Sequence, residues 1–245
     1  MGRASNRIFI EAELQRGQRL TVEGSAGNHI VRVLRLRVGD TLTLFDGRGG
    51  EYGGRIEEMR RDTVQVNVLE HRDDERESPF HLTLAQGISR GERMDWVVQK
   101  ATELGVSRIA PLFTERSMVR LDEKQAARKV QHWRAIAIAA CEQSGRNRIP
   151  EIATPTGLYD MLEQRRRSGA ELLLSPGAAL RIADVPAAEA GATVLIGPEG
   201  GLAAVEQETA LRSGFTPVRL GPRVLRTETA AVCALTLLQQ KFGDL

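Results

Sequence analysis

The sequence predicts an α/β chain in two parts: a small β-barrel, then a parallel sheet covered by helices. Three observations predict this. Before residue 72, short runs alternate apolar and polar residues around Gly-rich turns. Beyond residue 80, continuous apolar strands alternate with helical segments, the pattern of a buried parallel sheet. Between them lies the charged stretch "RDDERESP", residues 72 to 79, ending in proline. The expected division is residues 1–72 for the barrel, 73–79 for the linker and 80–245 for the second domain.

In the first part, "TLTLFDGRGGEYGGRIEEM" supplies two alternating runs about a glycine-rich turn. "DTVQVNVLEH" adds a strand with Val64, Val66 and Val68 on one face. Before them, "GNHIVRVLRLRVGD" predicts a short helix ending at Gly39 and carrying Arg32, Arg35 and Arg37. In the second part, "FHLTLAQGI" is a strand, and "RMDWVVQKATELGV" places Met94, Val97, Val98, Ala101 and Leu104 on one helical face. "RIAPLF" is the next strand and "DEKQAARKVQHWRAIAIAACEQSGR" a long helix, with His132 on the surface and Trp133 in the core. A helix near 156–168, strands "ELLLS" and "TVLIG", a helix near 203–213, strand "TPVRL" and a last helix from about 227 to 241 follow.

Composition narrows the classes. The 245 residues are 41% hydrophobic and 27% charged, enough for one large or two modest domains. No apolar run is long enough to span a bilayer. The N-terminal "MGRASNRIFIEAEL" lacks the apolar core of a secretory signal, so the cytoplasm is expected. Cys141 and Cys233 lie far apart in alanine-rich helical contexts and read as buried free thiols, and no Cys/His spacing suggests a metal. Four of the 34 basic residues are lysines, leaving 34 − 4 = 30 arginines. Arginine's planar fork suits phosphates and base edges, although GC-rich codons produce the same bias. The net charge of +2 lies in residues 1–72, which hold 12 basic and 10 acidic side chains.

Ligands of parallel sheets bind beyond the carboxyl ends of the strands. Three ends are marked by glycine or proline: "LLLSPGA", "LIGPEGGL" and "VRLGPRVLRTETA". Loops of this kind at one sheet edge would form a pocket of backbone amides and carbonyls, suited to a flat, polar-edged group such as adenine. Gly197, Gly200 and Gly201 then serve either the close approach of a ligand or a plain turn. Glu199 either touches the ligand or favours the N-terminus of the next helix. A Walker loop is excluded because no Gly-Lys pair exists, "GPEGG" is not GxGxxG, and no GxSxG occurs.

"LIGPEGGL" followed by "RLGPRVLRTETAAVCAL" resembles the two C-terminal signatures of the SPOUT methyltransferases. The likeness is closest to the RsmE family, which methylates N3 of a uridine in 16S ribosomal RNA of the small subunit. It extends through "VLRLRVGD", "QKATELGV", "ERS" and "CEQSGR", nearly the whole chain in order. The resemblance implies a SPOUT fold with a C-terminal trefoil knot, a PUA-like RNA-binding barrel, S-adenosylmethionine as cofactor and a homodimer. No metal is implied, because the sulfonium is already an activated electrophile.

Leu174, Ser175, Pro176, Ile196, Gly197, Pro198, Glu199, Gly200 and Gly201 would hold the cofactor from one side. Leu220, Gly221, Val224, Leu225, Arg226 and Thr227 would hold it from the other, with Thr227 also a candidate helix cap. RNA contacts would come from Arg7, His29, Arg32, Arg35, Arg116, Ser117, Gln143 and Ser144. Arg226 or Arg146 would stabilise a uridine anion, and Glu142 or Glu228 would accept its proton. Ala203 stands where the family carries a capping serine, which predicts a weaker cap on the helix after "GPEGG". Two rivals are a ribose 2′-O-methyltransferase of the same superfamily and a non-catalytic RNA-binding assembly factor. "LRTETA" lacks the asparagine and serines of the first, and intact signatures argue against the second.

Overall fold

The computed structural model describes residues 6–165, 169–186 and 191–245. The chain forms two compact units, one of residues 1–77 with 138–149, the other of 78–137 with 150–245. Residues 138–149, which the sequence placed with the second domain, thus group with the first.

The first unit is built on a five-stranded sheet of β1 (Arg7–Phe9), β2 (Arg19–Val22), β3 (Thr41–Phe45), β4 (Glu51–Arg60) and β5 (Thr63–Arg72), in the order β1-β3-β4-β5-β2. β3, β4 and β5 form the expected antiparallel meander, and β1 joins β3 in parallel. Among the described residues β1 pairs only with β3 and β2 only with β5. The period-two pattern is realised: Val64, Val66 and Val68 are buried with Ile8, Ile30, Leu44 and Ile56 in one core. The helix read from "GNHIVRVLRLRVGD" begins earlier, as α1 (Gly24–Asn28), and continues as a wider turn over His29–Val33. In that turn the Leu34 N–H reaches back to the His29 carbonyl. Arg32, Arg35 and Arg37 are exposed there, Arg35 with φ of 53°.

Glu51 is a buried carboxylate of this unit. Its carboxylate accepts from the Arg7 guanidinium, and it pairs with Arg72 at 3.0 Å and Arg76 at 3.5 Å. Cys141 is also buried here, and burial pushes its thiol up to about 12.

The second unit is an eight-stranded sheet in which every recorded pairing is parallel. Its strands are β6 (Leu82–Gly87), β7 (Arg108–Phe113), β8 (Glu151–Ile152), β9 (Thr156–Gly157), β10 (Ala170–Leu174), β11 (Leu180–Arg181), β12 (Ala192–Ile196) and β13 (Thr216–Arg219). They run in the order β11-β13-β10-β12-β6-β7-β8, with β9 also on β7. The short strands β8, β9 and β11 carry no run long enough to read in the sequence. Helices α2 (Glu92–Glu103), α3 (Glu123–Ser144), α4 (Leu158–Gln164), α5 (Ala204–Arg212) and α6 (Thr227–Phe242) are those expected, α4 being shorter. Residues 166–168, where α4 was expected to end, lie outside the described residues. α2 buries Met94, Val97, Val98 and Ala101 and packs against α6. Each such buried side chain stabilises by roughly 1.5–3 kcal/mol for the largest of them. Trp133 is buried and donates to Asp95 at 3.0 Å, and His132 is on the surface, as expected. Cys233 is only half-buried.

Removing Glu51 leaves three guanidiniums facing each other without their counter-charge. Glu51→Ala is expected to cost roughly 3–5 kcal/mol, seen as a lower denaturation midpoint for the transition that reports on residues 1–77.

Candidate functional site

Because β10, β12 and β13 run parallel, their carboxyl ends emerge at one edge of the sheet. The loops that follow enclose an open cavity of about 580 Å³, within the usual range of small-molecule sites of roughly 300–1,000 Å³. Leu174, Ser175 and Pro176 line it from β10, and Ile196 to Gly201 from β12. Leu220, Gly221, Val224, Leu225, Arg226 and Thr227 line it from the segment between β13 and α6. The three marked strand ends therefore do meet.

The glycines divide by cause. A Cβ on Gly197 would stand 2.8 Å from the Gly201 carbonyl carbon and the Leu202 nitrogen, so the loop's own closure demands glycine there. Gly201 has φ of 68°, a conformation that side chains resist, with nothing within 4 Å of a built Cβ. Gly87, at the end of β6, has its Cβ position 2.5 Å from the Pro198 nitrogen. Ligand approach is thus not the reason for Gly197, whereas Gly201 and Gly221 face open space.

Beneath the cavity lies a polar junction. Gln86, fully buried on β6, has the two N–H groups of its Nε2 within reach of three acceptors, Thr227 Oγ1 at 2.9 Å, the Gly87 carbonyl at 3.0 Å and the Gly197 carbonyl at 3.3 Å. The Thr227 hydroxyl itself donates to the Gly197 carbonyl at 2.7 Å. Thr227 is therefore not the helix cap the sequence suggested. It is the first helical residue of α6, Arg226 occupies the cap position, and the hydroxyl is committed to the glycine loop. For α5, Ala203 supplies no side-chain cap, but the Glu206 carboxylate accepts from the Ala203 N–H and the Glu115 N–H, both at 2.8 Å.

The rim is cationic. Arg93, Arg116, Arg219, Arg223 and Arg226 line the cavity against two carboxylates, Glu199 and Glu228. Glu199 is engaged: its Oε1 accepts from the Arg90 N–H at 3.0 Å and from Arg93 at 2.7 Å. Burial raises its pKa, but its own backbone N–H, that of Arg90 and the Arg93 guanidinium outweigh this and hold the carboxyl below its usual range. Arg116 donates to the Gly200 carbonyl at 3.0 Å. Glu228 differs, since its Oε2 is buried with no hydrogen-bond partner among the described residues.

Other expected residues lie elsewhere. Glu142, Gln143, Ser144 and Arg146 belong to the first unit and do not line the cavity. Glu142 accepts from the Phe9 N–H at 3.0 Å and stands 3.7 Å from His29 Nδ1. Burial raises its carboxyl, and the Phe9 N–H, His29 and Arg7 lower it, leaving a net rise. Arg146 is 4% exposed and meets Glu77 at 2.6 Å. Arg7 is equally buried, its two terminal nitrogens donating to Glu51, Asn147 and the Arg146 carbonyl, while its Nε has no partner among the described residues. Ser117 is buried and donates to the Ile88 carbonyl, whereas Arg32, Arg35, Gln143 and Arg116 are exposed. Sequence reasoning missed Gln86, Gly87, Arg93, Arg219 and Arg223. Only Gln86 left a signal, a lone amide in the apolar strand "LTLAQG". Among the described residues no cluster of metal-ligating side chains occurs and no helix is long and apolar enough to cross a membrane.

Glu199→Gln removes the ion pair with Arg93. Because the native carboxyl is held below its ordinary value of 4.5, its stabilisation is present in full above that value and lost as the pH falls through the lowered one. Melting temperatures of the two proteins should differ at neutral pH, the parent higher, and converge in acid.

The matches to known proteins agree with this geometry. A family model described as an RNA methyltransferase domain matches residues 76–239, and one described as an RNA methyltransferase PUA domain matches residues 22–69. The ribosomal RNA small subunit methyltransferase E of Buchnera aphidicola subsp. Schizaphis graminum is 37% identical over 239 residues, 98% of this chain and 97% of that protein. Its namesake from Bacillus subtilis is 32% identical over 244 residues, covering 95% of each chain. Among solved structures, a Legionella pneumophila protein with bound SAM superposes with a TM-score of 0.95 at 43% identity, covering 98% of this chain and 99% of that one. The Neisseria gonorrhoeae ribosomal RNA small subunit methyltransferase E bound to S-adenosyl methionine gives 0.92 at 35% identity, with the same coverage. With two thirds of its length matched by the RNA methyltransferase model and relatives covered end to end, the chain belongs to the RNA methyltransferase family that includes ribosomal RNA small subunit methyltransferase E.

Proposed function

We propose that this chain is a cytoplasmic, homodimeric enzyme that uses S-adenosylmethionine to methylate N3 of one uridine in 16S ribosomal RNA of the small subunit. The observation that carries the reading is the convergence of three strand-end loops on one cavity with a cationic rim. The residues fit the cofactor: Ile196, Leu220 and Leu225 line the cavity and would offer backbone groups to an adenine edge, and open space at Gly201 and Gly221 admits a ligand against the backbone. The bound structures of two relatives support the same choice. The close seat of Pro198 against Gly87 and of α6 against the Gly197 loop supports a knotted C-terminal segment of the SPOUT type.

N3 lies on the Watson–Crick edge, so the uridine must be unpaired or flipped to be reached. Its N3–H must also be lost before N3 can act as a nucleophile. Bound S-adenosylmethionine supplies the activated methyl group, and the protein's part is to orient the base and move that proton. Glu228 lines the cavity with one carboxylate oxygen unpartnered among the described residues, which supports it over Glu142 as the acceptor of the N3 proton. Arg226, exposed at the head of α6 and lining the cavity, would donate to a uracil carbonyl as negative charge develops there. Arg116 on the rim would hold a phosphate, and in the first unit the exposed Arg32 and Arg35, with His29 and Gln143, would also contact RNA. Arg7, Ser117 and Arg146 act as supports in this reading, because the terminal nitrogens of Arg7, the Ser117 hydroxyl and the Arg146 guanidinium already hold protein partners.

Purified protein, labelled S-adenosylmethionine and small subunits from cells lacking the gene test the reaction. Label is expected in 3-methyluridine, and label in a ribose-methylated nucleoside would replace the N3 assignment with a 2′-O one. Glu228→Gln is expected to slow single-turnover methylation at neutral pH by about 10²- to 10⁴-fold. An unchanged rate would remove Glu228 as the base.

A further inference from the structure

We propose that Gln86 is a positioning residue for the cofactor, setting the spacing between the two walls of the cavity through one carboxamide nitrogen. The proposal rests on the reading of the cavity as the S-adenosylmethionine site. The two walls come from distant parts of the chain, the Gly197 loop after β12 and the head of α6. Gln86 Nε2 reaches both, the Gly197 carbonyl at 3.3 Å and Thr227 Oγ1 at 2.9 Å. Thr227 closes the triangle by donating to the same carbonyl at 2.7 Å. The adjacent Gly87 presses on Pro198, so the strand end and the loop have no slack to separate independently.

Stability alone does not call for an amide at this place. Leu82, Leu84 and Ala85 of the same strand are buried and apolar. Gln86 is buried as completely, yet its Oε1 has no hydrogen-bond partner among the described residues. An unpaired buried acceptor is destabilising, and a group kept in spite of that cost points to a role in the site. The geometry supplies the role. With two donors on its oxygen, the Gly197 carbonyl is turned toward Gln86 and Thr227, which fixes the peptide planes that a ligand meets on the other side of the loop. Gln86 does not line the cavity, so it acts through Gly197 and Thr227.

The test measures S-adenosylmethionine affinity by calorimetry on parent, Gln86→Met, Thr227→Val, Thr227→Ser and the Gln86→Met/Thr227→Val double variant. Melting temperatures without cofactor and steady-state constants accompany it. Gln86→Met and Thr227→Val should each bind about tenfold more weakly, the scale of one lost buried hydrogen bond. The double variant should lose little more than either alone, because both cut the same triangle. Thr227→Ser, which keeps the hydroxyl, should retain affinity. For Gln86→Met, which lies outside the cavity lining, KM for the cofactor should rise, while kcat at saturating cofactor and KM for RNA hold. A folded Gln86→Met that binds like the parent, or losses that simply add, would overturn the proposal. Should Gln86→Met not fold, the Thr227→Val and Thr227→Ser pair decides the same point, equal affinities sinking it. A parent protein that binds no S-adenosylmethionine sinks the cofactor reading itself, a result distinct from a parent that binds and a variant that matches it.

Discussion

Where the carbonyl of Gly197 points decides the shape of the cavity. In a parallel sheet each strand end is free to leave in any direction, and the loops after β10, β12 and β13 share only an edge. The Gly197 oxygen removes that freedom by taking hydrogen bonds from Thr227 and Gln86, groups of the last helix and the central strand. Gly87 and Pro198 complete the seat by contact, since any side chain on Gly87 would collide with the proline ring. Turn glycines and a threonine at a helix start thereby become parts of one junction.

Electrostatics builds on this frame. Five arginines on the rim face two carboxylates, and the two carboxylates have different fates. Glu199 is held by Arg93 and the Arg90 N–H, which makes it a fastener between the glycine loop and the start of α2. Glu228 keeps an oxygen unpartnered among the described residues, in a cavity whose excess positive charge favours an anionic substrate. Five of the 30 arginines that left a nucleic-acid partner open at the level of composition line this cavity.

The first unit uses charge in another way. Glu51 gathers Arg7, Arg72 and Arg76 around one carboxylate, and Arg146 pairs with Glu77. These guanidiniums tie the end of α3 and the polar stretch after β5 to the five-stranded sheet, which is why residues 138–149 group with it. The arginines of the turn after α1, Arg32, Arg35 and Arg37, are exposed instead.

The sequence by itself determined the fold class, every long strand and helix, and the three loops that line the cavity. Local periodicity and glycine or proline at strand ends carry that information directly, as Val64, Val66 and Val68 and the "LIGPEGGL" run show. Short strands such as β8, β9 and β11 escaped because two residues have no period. Tertiary structure alone decided which polar groups are buried. Arg7, Arg146 and Ser117 look like Arg32, Arg116 and Ser175 in a string of letters, but partners far along the chain bury the first set and leave the second facing solvent or cavity. It also decided that Thr227 serves the glycine loop instead of its own helix, and that Gly197 answers to Leu202 before any ligand. A hydrogen bond between residues 86 and 227 leaves no trace in local pattern, because its cause is the crossing of β6, β12 and α6 in space.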